Sequence, residues 1–82
     1  MNVAIIDVGT NSTNLLVQDS NGADLARVIA TTRLGDTLQQ LGTLSAEAIA
    51  RTVDTIVSHI DVAASHSASR IVITGQPMLY IR

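Results

Sequence analysis

Cysteine, phenylalanine, tryptophan and lysine are all missing from this 82-residue chain, and tyrosine occurs once, as Tyr80. Without cysteine there is no disulfide and no thiolate metal site. Without phenylalanine or tryptophan, the core must come from Val, Ile, Leu and Ala. Without lysine, the five basic side chains are all arginines, set against seven acids for a net charge of −2. That balance excludes a nucleic-acid surface working by charge alone. No apolar run approaches the roughly 20 residues of a membrane span. The N-terminus lacks the basic start and apolar core of a signal peptide, and Asp7 would interrupt such a core. The expected partners therefore include no nucleic acid and no membrane, and the expected location is cytoplasmic. In that compartment the glycosylation pattern at Asn11-Ser12-Thr13 carries no meaning. The length allows at most one domain, residues 1–82. A domain this small buries only about 60% of its unfolded surface.

The stretch that organises the rest is Val3-Ala4-Ile5-Ile6-Asp7-Val8-Gly9-Thr10-Asn11-Ser12. Its apolar run reads as a fully buried strand. Asp7 falls where burial should be complete, and a buried carboxylate must be paired, hydrated or metal-linked. Gly9 then permits a tight turn. Thr10, Asn11 and Ser12 bring hydroxyl, amide and backbone N–H donors to it. A strand ending in a carboxylate and a ring of small donors suits a phosphate and its hydrated cation. The same four residues are also ordinary turn chemistry, with Asp7 bonding the turn amides.

The remaining order is strand, strand, helix, strand. Thr13–Gln18 alternates, with Leu15 and Val17 on one face and Asn14, Leu16 and Gln18 on the other. Asp19-Ser20-Asn21-Gly22 is a hairpin signal. Ala23–Thr32 is a third strand, its Leu25, Arg27, Ile29 and Thr31 on one face and Ala26, Val28 and Ala30 on the other. Asp36-Thr37-Leu38-Gln39 has the form of a capping box and predicts a short helical turn stopping at Gly42. The long helix is capped by Ser45, with Glu47 in its first turn. Ile49, Val53, Ile56, Val57, Ile60 and Ala63 predict its inward face. Glu47 and Arg51 form an i,i+4 pair on the other side. Ser65–Ser69 reads as a loop and Arg70–Thr74 as a buried strand parallel to the first. Met78 to Arg82 has no assigned element. The fold class is α/β, order β-β-β-α-β, an antiparallel meander plus one parallel strand.

Other chemistry-bearing residues have plainer readings. His59 and His66 read as surface histidines, since no cysteine or spaced carboxylate stands with them to hold a metal. Glu47 reads as a helix-start acid. Asp19, Asp24 and Asp36 read as turn and cap residues.

Four features together resemble the N-terminal region of the exopolyphosphatase / guanosine pentaphosphate phosphohydrolase (Ppx/GppA) family. That family belongs to the actin, sugar-kinase and heat-shock ATPase superfamily, whose fold is ribonuclease-H-like. Ile5 to Ser12 looks like its first phosphate motif, with Leu15-Leu16-Val17 as the strand that follows. Thr32-Arg33-Leu34-Gly35 resembles its Arg-Leu-Gly segment. Gly42-Thr43-Leu44-Ser45 with Glu47-Ala48-Ile49 looks like its helix start. Arg70 to Thr74 sits where its fourth strand runs.

The resemblance implies a magnesium-dependent enzyme that attacks the terminal phosphoanhydride of polyphosphate or guanosine pentaphosphate with water. It implies that Asp7 holds Mg2+ or its bound water. It implies that Gly9, Thr10, Asn11, Ser12 and Arg33 bind phosphate. A homodimer in a full-length protein is left open. Past Thr74 the chain departs from the family, reading Gly75-Gln76-Pro77-Met78 where an arginine is expected. The family's catalytic glutamate and its second, glycine-rich phosphate motif lie further along than Arg82. Only one side of the phosphate clamp is present, so no residue here is assigned a catalytic role. One alternative is a truncated, non-catalytic relative that binds phosphate or a partner. A further one is a fragment of an ATP-dependent sugar- or acetate-kinase-like protein.

Overall fold

In the computed structural model, which describes residues 1–35 and 43–75, the elements are β1 (Asn2–Val8), β2 (Ser12–Gln18), β3 (Asp24–Thr31), α1 (Ala46–Ser65) and β4 (Ala68–Gly75). The short turn expected from Asp36 to Gly42 and the tail from Met78 to Arg82 lie outside the described residues. The sheet order is β3-β2-β1-β4. The first three strands form the antiparallel meander, and β4 pairs parallel to β1.

Strand register decides the core. Ala4 faces Val17 and Ile6 faces Leu15 across the β1–β2 pair. These four and Ala63 of α1 are fully buried, with Val8, Ala26, Ile56, Ile60, Val62 and Ala68 around them. The alternation expected along β2 and β3 is present: Ala26, Val28 and Ala30 pair with Val17, Leu15 and Thr13 on the helix side. β1 was expected to be buried on both faces, but among the described residues its second face is uncovered. Ile5 is 36% exposed, and Ile29 of β3 is 70% exposed on the same face. One helix covers one face of a sheet, and among the described residues nothing covers the other.

α1 starts where the cap predicts. Ser45 is extended, and its Oγ accepts from the Ala48 N–H at 3.0 Å. Ser45→Ala is expected to cost about 1 kcal/mol, read as a lower denaturation midpoint with an unchanged slope. The helix reaches Ser65, so the connection to β4 is only His66 and Ser67. Ser67 takes a left-handed conformation, φ 57, and its N–H returns to the Ala64 carbonyl. The Asn2 amide donates to the His66 carbonyl at 2.8 Å and ties this corner to β1.

The inward face of α1 matches the expected one at Ile56, Ile60 and Ala63 and differs from it elsewhere. Ala48, Thr52, His59 and Ala63 are buried, while Ile49, Val53 and Val57 are exposed along a flank. Small residues let the helix lie close to the sheet, and the two polar ones are satisfied there. Thr52 donates to the Ala48 carbonyl, and His59 Nε2–H donates to the Thr13 carbonyl at 2.8 Å. Beside them, the Thr13 and Thr32 hydroxyls share a buried 2.9 Å bond. His59 is therefore a core residue, 3% exposed, and not the surface histidine its sequence context suggested.

At the far end, Asp19 Oδ1 accepts from the Asn21 and Ala23 N–H groups and fixes the β2–β3 hairpin. Gly22 there has φ 84, which favours glycine. The Gln18 amide, then the Arg27 guanidinium, hold the Asp24 carboxyl below the usual carboxylate range.

Candidate phosphate-binding site

The turn between β1 and β2 is closed by its own backbone: the Gly9 N–H donates to the Ser12 carbonyl at 2.8 Å. A second turn then braces it. Thr32 and Arg33 both donate their N–H to the Asn11 carbonyl at 2.9 Å, and the Gly35 N–H donates to the Thr10 carbonyl at 2.9 Å. The carbonyls of Thr10, Asn11 and Ser12 are thus all engaged by N–H donors. A turn whose carbonyl oxygens are so engaged presents less negative charge to an anion, while Asn11 stands exposed at its tip.

The brace depends on two backbone details. Arg33 is a non-glycine residue with φ 50, an uncommon conformation that costs energy and clusters at functional sites. Its guanidinium is exposed and makes no hydrogen bond or ion pair among the described residues. Gly35 lies against the β1–β2 turn: a Cβ there would meet Thr10 Cβ at 3.1 Å and Thr10 Cγ2 at 3.3 Å. Gly35→Ala is expected to push Thr10 aside and cost about 1 kcal/mol, the low end for overpacking. Amide shift changes at Thr10 and Asn11, larger than those at the hairpin, would check it.

Asp7 stands at the foot of this turn, on the bare face. The sequence suggested a buried carboxylate; the structure exposes it, because nothing among the described residues covers that face. It does not bond the turn amides. Its Oδ1 accepts from the Thr74 hydroxyl at 2.9 Å, across the parallel register that aligns Asp7 with Thr74. On its other side the register aligns Asn14, whose Oδ1 is enclosed without a partner. The described residues hold no group of three His, Cys, Asp or Glu side chains that could cage a metal. The donor set fits a looser arrangement. Magnesium is commonly held by one or two carboxylates, with waters and substrate phosphates completing its shell. Asp7, with Oδ2 unengaged among the described residues, can supply that one carboxylate.

One residue at this site carried no signal in the sequence. Arg51 was expected to pair with Glu47 on the helix surface. Instead it is half-buried, and it donates from Nε to the Thr32 carbonyl at 2.9 Å and from Nη2 to the Arg33 carbonyl at 3.2 Å. Periodicity along a helix cannot reveal a strand end packed beside it.

Known structures share this fold. A Ppx/GppA phosphatase from Aquifex aeolicus superimposes with a TM-score of 0.89 at 21% identity, covering 96% of this chain and 27% of its own. The chain has the fold of the N-terminal part of a Ppx/GppA phosphatase. An exopolyphosphatase from Cytophaga hutchinsonii gives a TM-score of 0.87 at 24% identity, over 96% of this chain and 26% of its own. A Sinorhizobium meliloti protein provisionally named a 2-dehydro-3-deoxygalactonokinase gives 0.50 at 23% identity, over 90% and 21%. The chain therefore spans about a quarter of the length of the Ppx/GppA structures it matches. No family model and no curated protein sequence matches it. No helix among the described residues is long and apolar enough to cross a membrane.

Proposed function

We propose that this chain is the N-terminal portion of a magnesium-dependent phosphatase that hydrolyses terminal phosphoanhydrides of polyphosphate or guanosine pentaphosphate, and that it supplies the first phosphate-binding turn. The observation that carries this reading is the turn Gly9–Ser12, with its carbonyls engaged and Asp7 at its foot, set in a Ppx/GppA fold. Thr10, Asn11 and Ser12 cradle one phosphate through N–H, hydroxyl and amide donors, and Gly9 closes the turn that presents them through its N–H on the Ser12 carbonyl. Arg33, at the rim, neutralises phosphate charge through its guanidinium. Asp7 holds Mg2+, whose chemistry is to neutralise phosphate oxygens and orient the terminal group. A base and a second clamp are also needed for hydrolysis. The residues described here bind and orient; they do not complete the reaction. A cytoplasmic location accords with the cysteine-free composition.

The ATP-using alternative is less well supported, since the kinase-named structure superimposes far less closely than the phosphatases. The test is a titration of the isotopically labelled 82-residue chain with tripolyphosphate in magnesium, followed by amide shifts. Shifts concentrated at Gly9–Ser12 and Arg33–Gly35, and weaker ones with ATP, are expected. Shifts scattered over the other arginines, with the turn unmoved, would overturn the reading. ATP binding as tightly as tripolyphosphate would favour the kinase alternative.

A further inference from the structure

We infer that Arg51 is a positioning residue for the phosphate turn, acting through the backbone of Thr32 and Arg33; the inference rests on Gly9–Ser12 being a phosphate site. Peptide-unit connectivity carries it. The Thr32 carbonyl, which accepts from Arg51 Nε–H, belongs to the same peptide unit as the Arg33 N–H. That N–H donates to the Asn11 carbonyl. The Asn11 carbonyl in turn shares its peptide unit with the Ser12 N–H, an amide of the proposed cradle. The chain of bonds thus runs from a guanidinium cation, through two peptide units, to a donor of the turn. Each bond polarises the next, so a charge at one end strengthens the donor at the other.

The same contacts fix a shape. Arg33 is held in its left-handed conformation from both sides, its N–H on the Asn11 carbonyl and its carbonyl on Arg51 Nη2. That conformation is disfavoured for a residue with a side chain, so it persists only where its surroundings impose it. It also brings the Gly35 N–H onto the Thr10 carbonyl. No carboxylate among the described residues pairs with Arg51. A helix-surface role would have left Arg51 on Glu47; it reaches past Glu47 to the strand end.

The experiment compares the parent 82-residue chain with Arg51→Gln, Arg51→Lys and Asp7→Asn, each titrated with tripolyphosphate in magnesium. Arg51→Gln is expected to weaken binding about tenfold, the scale of one charge-assisted hydrogen bond. Arg51→Lys keeps the charge and one donor, and is expected to lose about threefold, a partial rescue. Before any ligand is added, the Arg33 and Ser12 amide protons of Arg51→Gln are expected to move upfield, as their bonds weaken. A purely structural brace would not single out those two amides. Unchanged affinity in a folded Arg51→Gln, while Asp7→Asn loses binding, would overturn the inference and leave the phosphate site standing. A folded Arg51→Lys that binds no better than Arg51→Gln would also overturn it. So would unfolding of both Arg51 variants, which would assign the residue to stability alone. No tripolyphosphate binding by the parent chain would overturn both the phosphate reading and this inference.

Discussion

Ile6→Asp is expected to leave the chain unfolded at room temperature, while Val53→Asp melts within a few degrees of the parent. Ile6 is fully buried between β2 and α1. Replacing it removes roughly 1.5–3 kcal/mol of apolar burial. It also places a carboxylate where no partner or water can reach, which costs several kcal/mol more. At about 0.05–0.15 kcal/mol per residue, a chain of this length holds only about 4–12 kcal/mol in total. With one sheet face uncovered among the described residues, the lower end applies, and the substitution exceeds it. Val53 lies on the exposed flank of α1, half open to solvent. An aspartate there loses little, since surface substitutions away from special features usually cost under about 0.5 kcal/mol. Far-UV circular dichroism melts and amide dispersion give both answers. A cooperative melt for Ile6→Asp would mean that β1 turns its other face inward. Unfolding by Val53→Asp would mean that α1 is rotated from its described position.

That pair of variants also separates what the sequence made legible from what it did not. The strands were legible, because β-branched runs, a period of two and the Asp-Ser-Asn-Gly hairpin all point the same way. Leu15 and Val17 were readable as one face for the same reason. The helix was readable as a helix, but its rotation only in part: Ile56, Ile60 and Ala63 face the core as expected. Ile49, Val53 and Val57 are equally obvious apolar residues, yet they are exposed, and Ala48, Thr52 and His59 are buried in their place. Counting hydrophobic side chains favours bulk, whereas close helix–sheet approach favours small residues and polar ones with a ready partner. Thr13 supplied that partner for His59, and nothing local to His59 could announce it. The position of Asp7 was legible and its burial was not, since burial depends on what covers the second face. At the site, the glycine and small donors of the turn could be read from local chemistry. The brace could not. It joins residues 10 and 11 to residues 32 to 35 and to Arg51, and that juxtaposition is a product of the fold.

Asp7→Asn is expected to have opposite effects with and without magnesium. With magnesium present, it should weaken tripolyphosphate binding at least about tenfold, because a hard cation loses its one protein carboxylate at the turn. Without magnesium, the parent carboxylate faces the anion directly and repels it. That repulsion is on the order of 1 kcal/mol at contact distance in water. Removing it should then tighten binding severalfold. Asparagine keeps the shape and can still accept from the Thr74 hydroxyl, so the melting midpoint should hold. Calorimetric titration of both chains, in magnesium and in chelator, gives the four affinities. A reversal of sign between the two conditions places a cation between Asp7 and the phosphate. An equal loss in both would mean that Asp7 supports the turn through its bond to Thr74, and the magnesium role would fall. Thr74→Val distinguishes these outcomes independently. It frees the carboxylate to rotate without removing its charge, so it should reproduce part of the loss in magnesium and none of the gain in chelator.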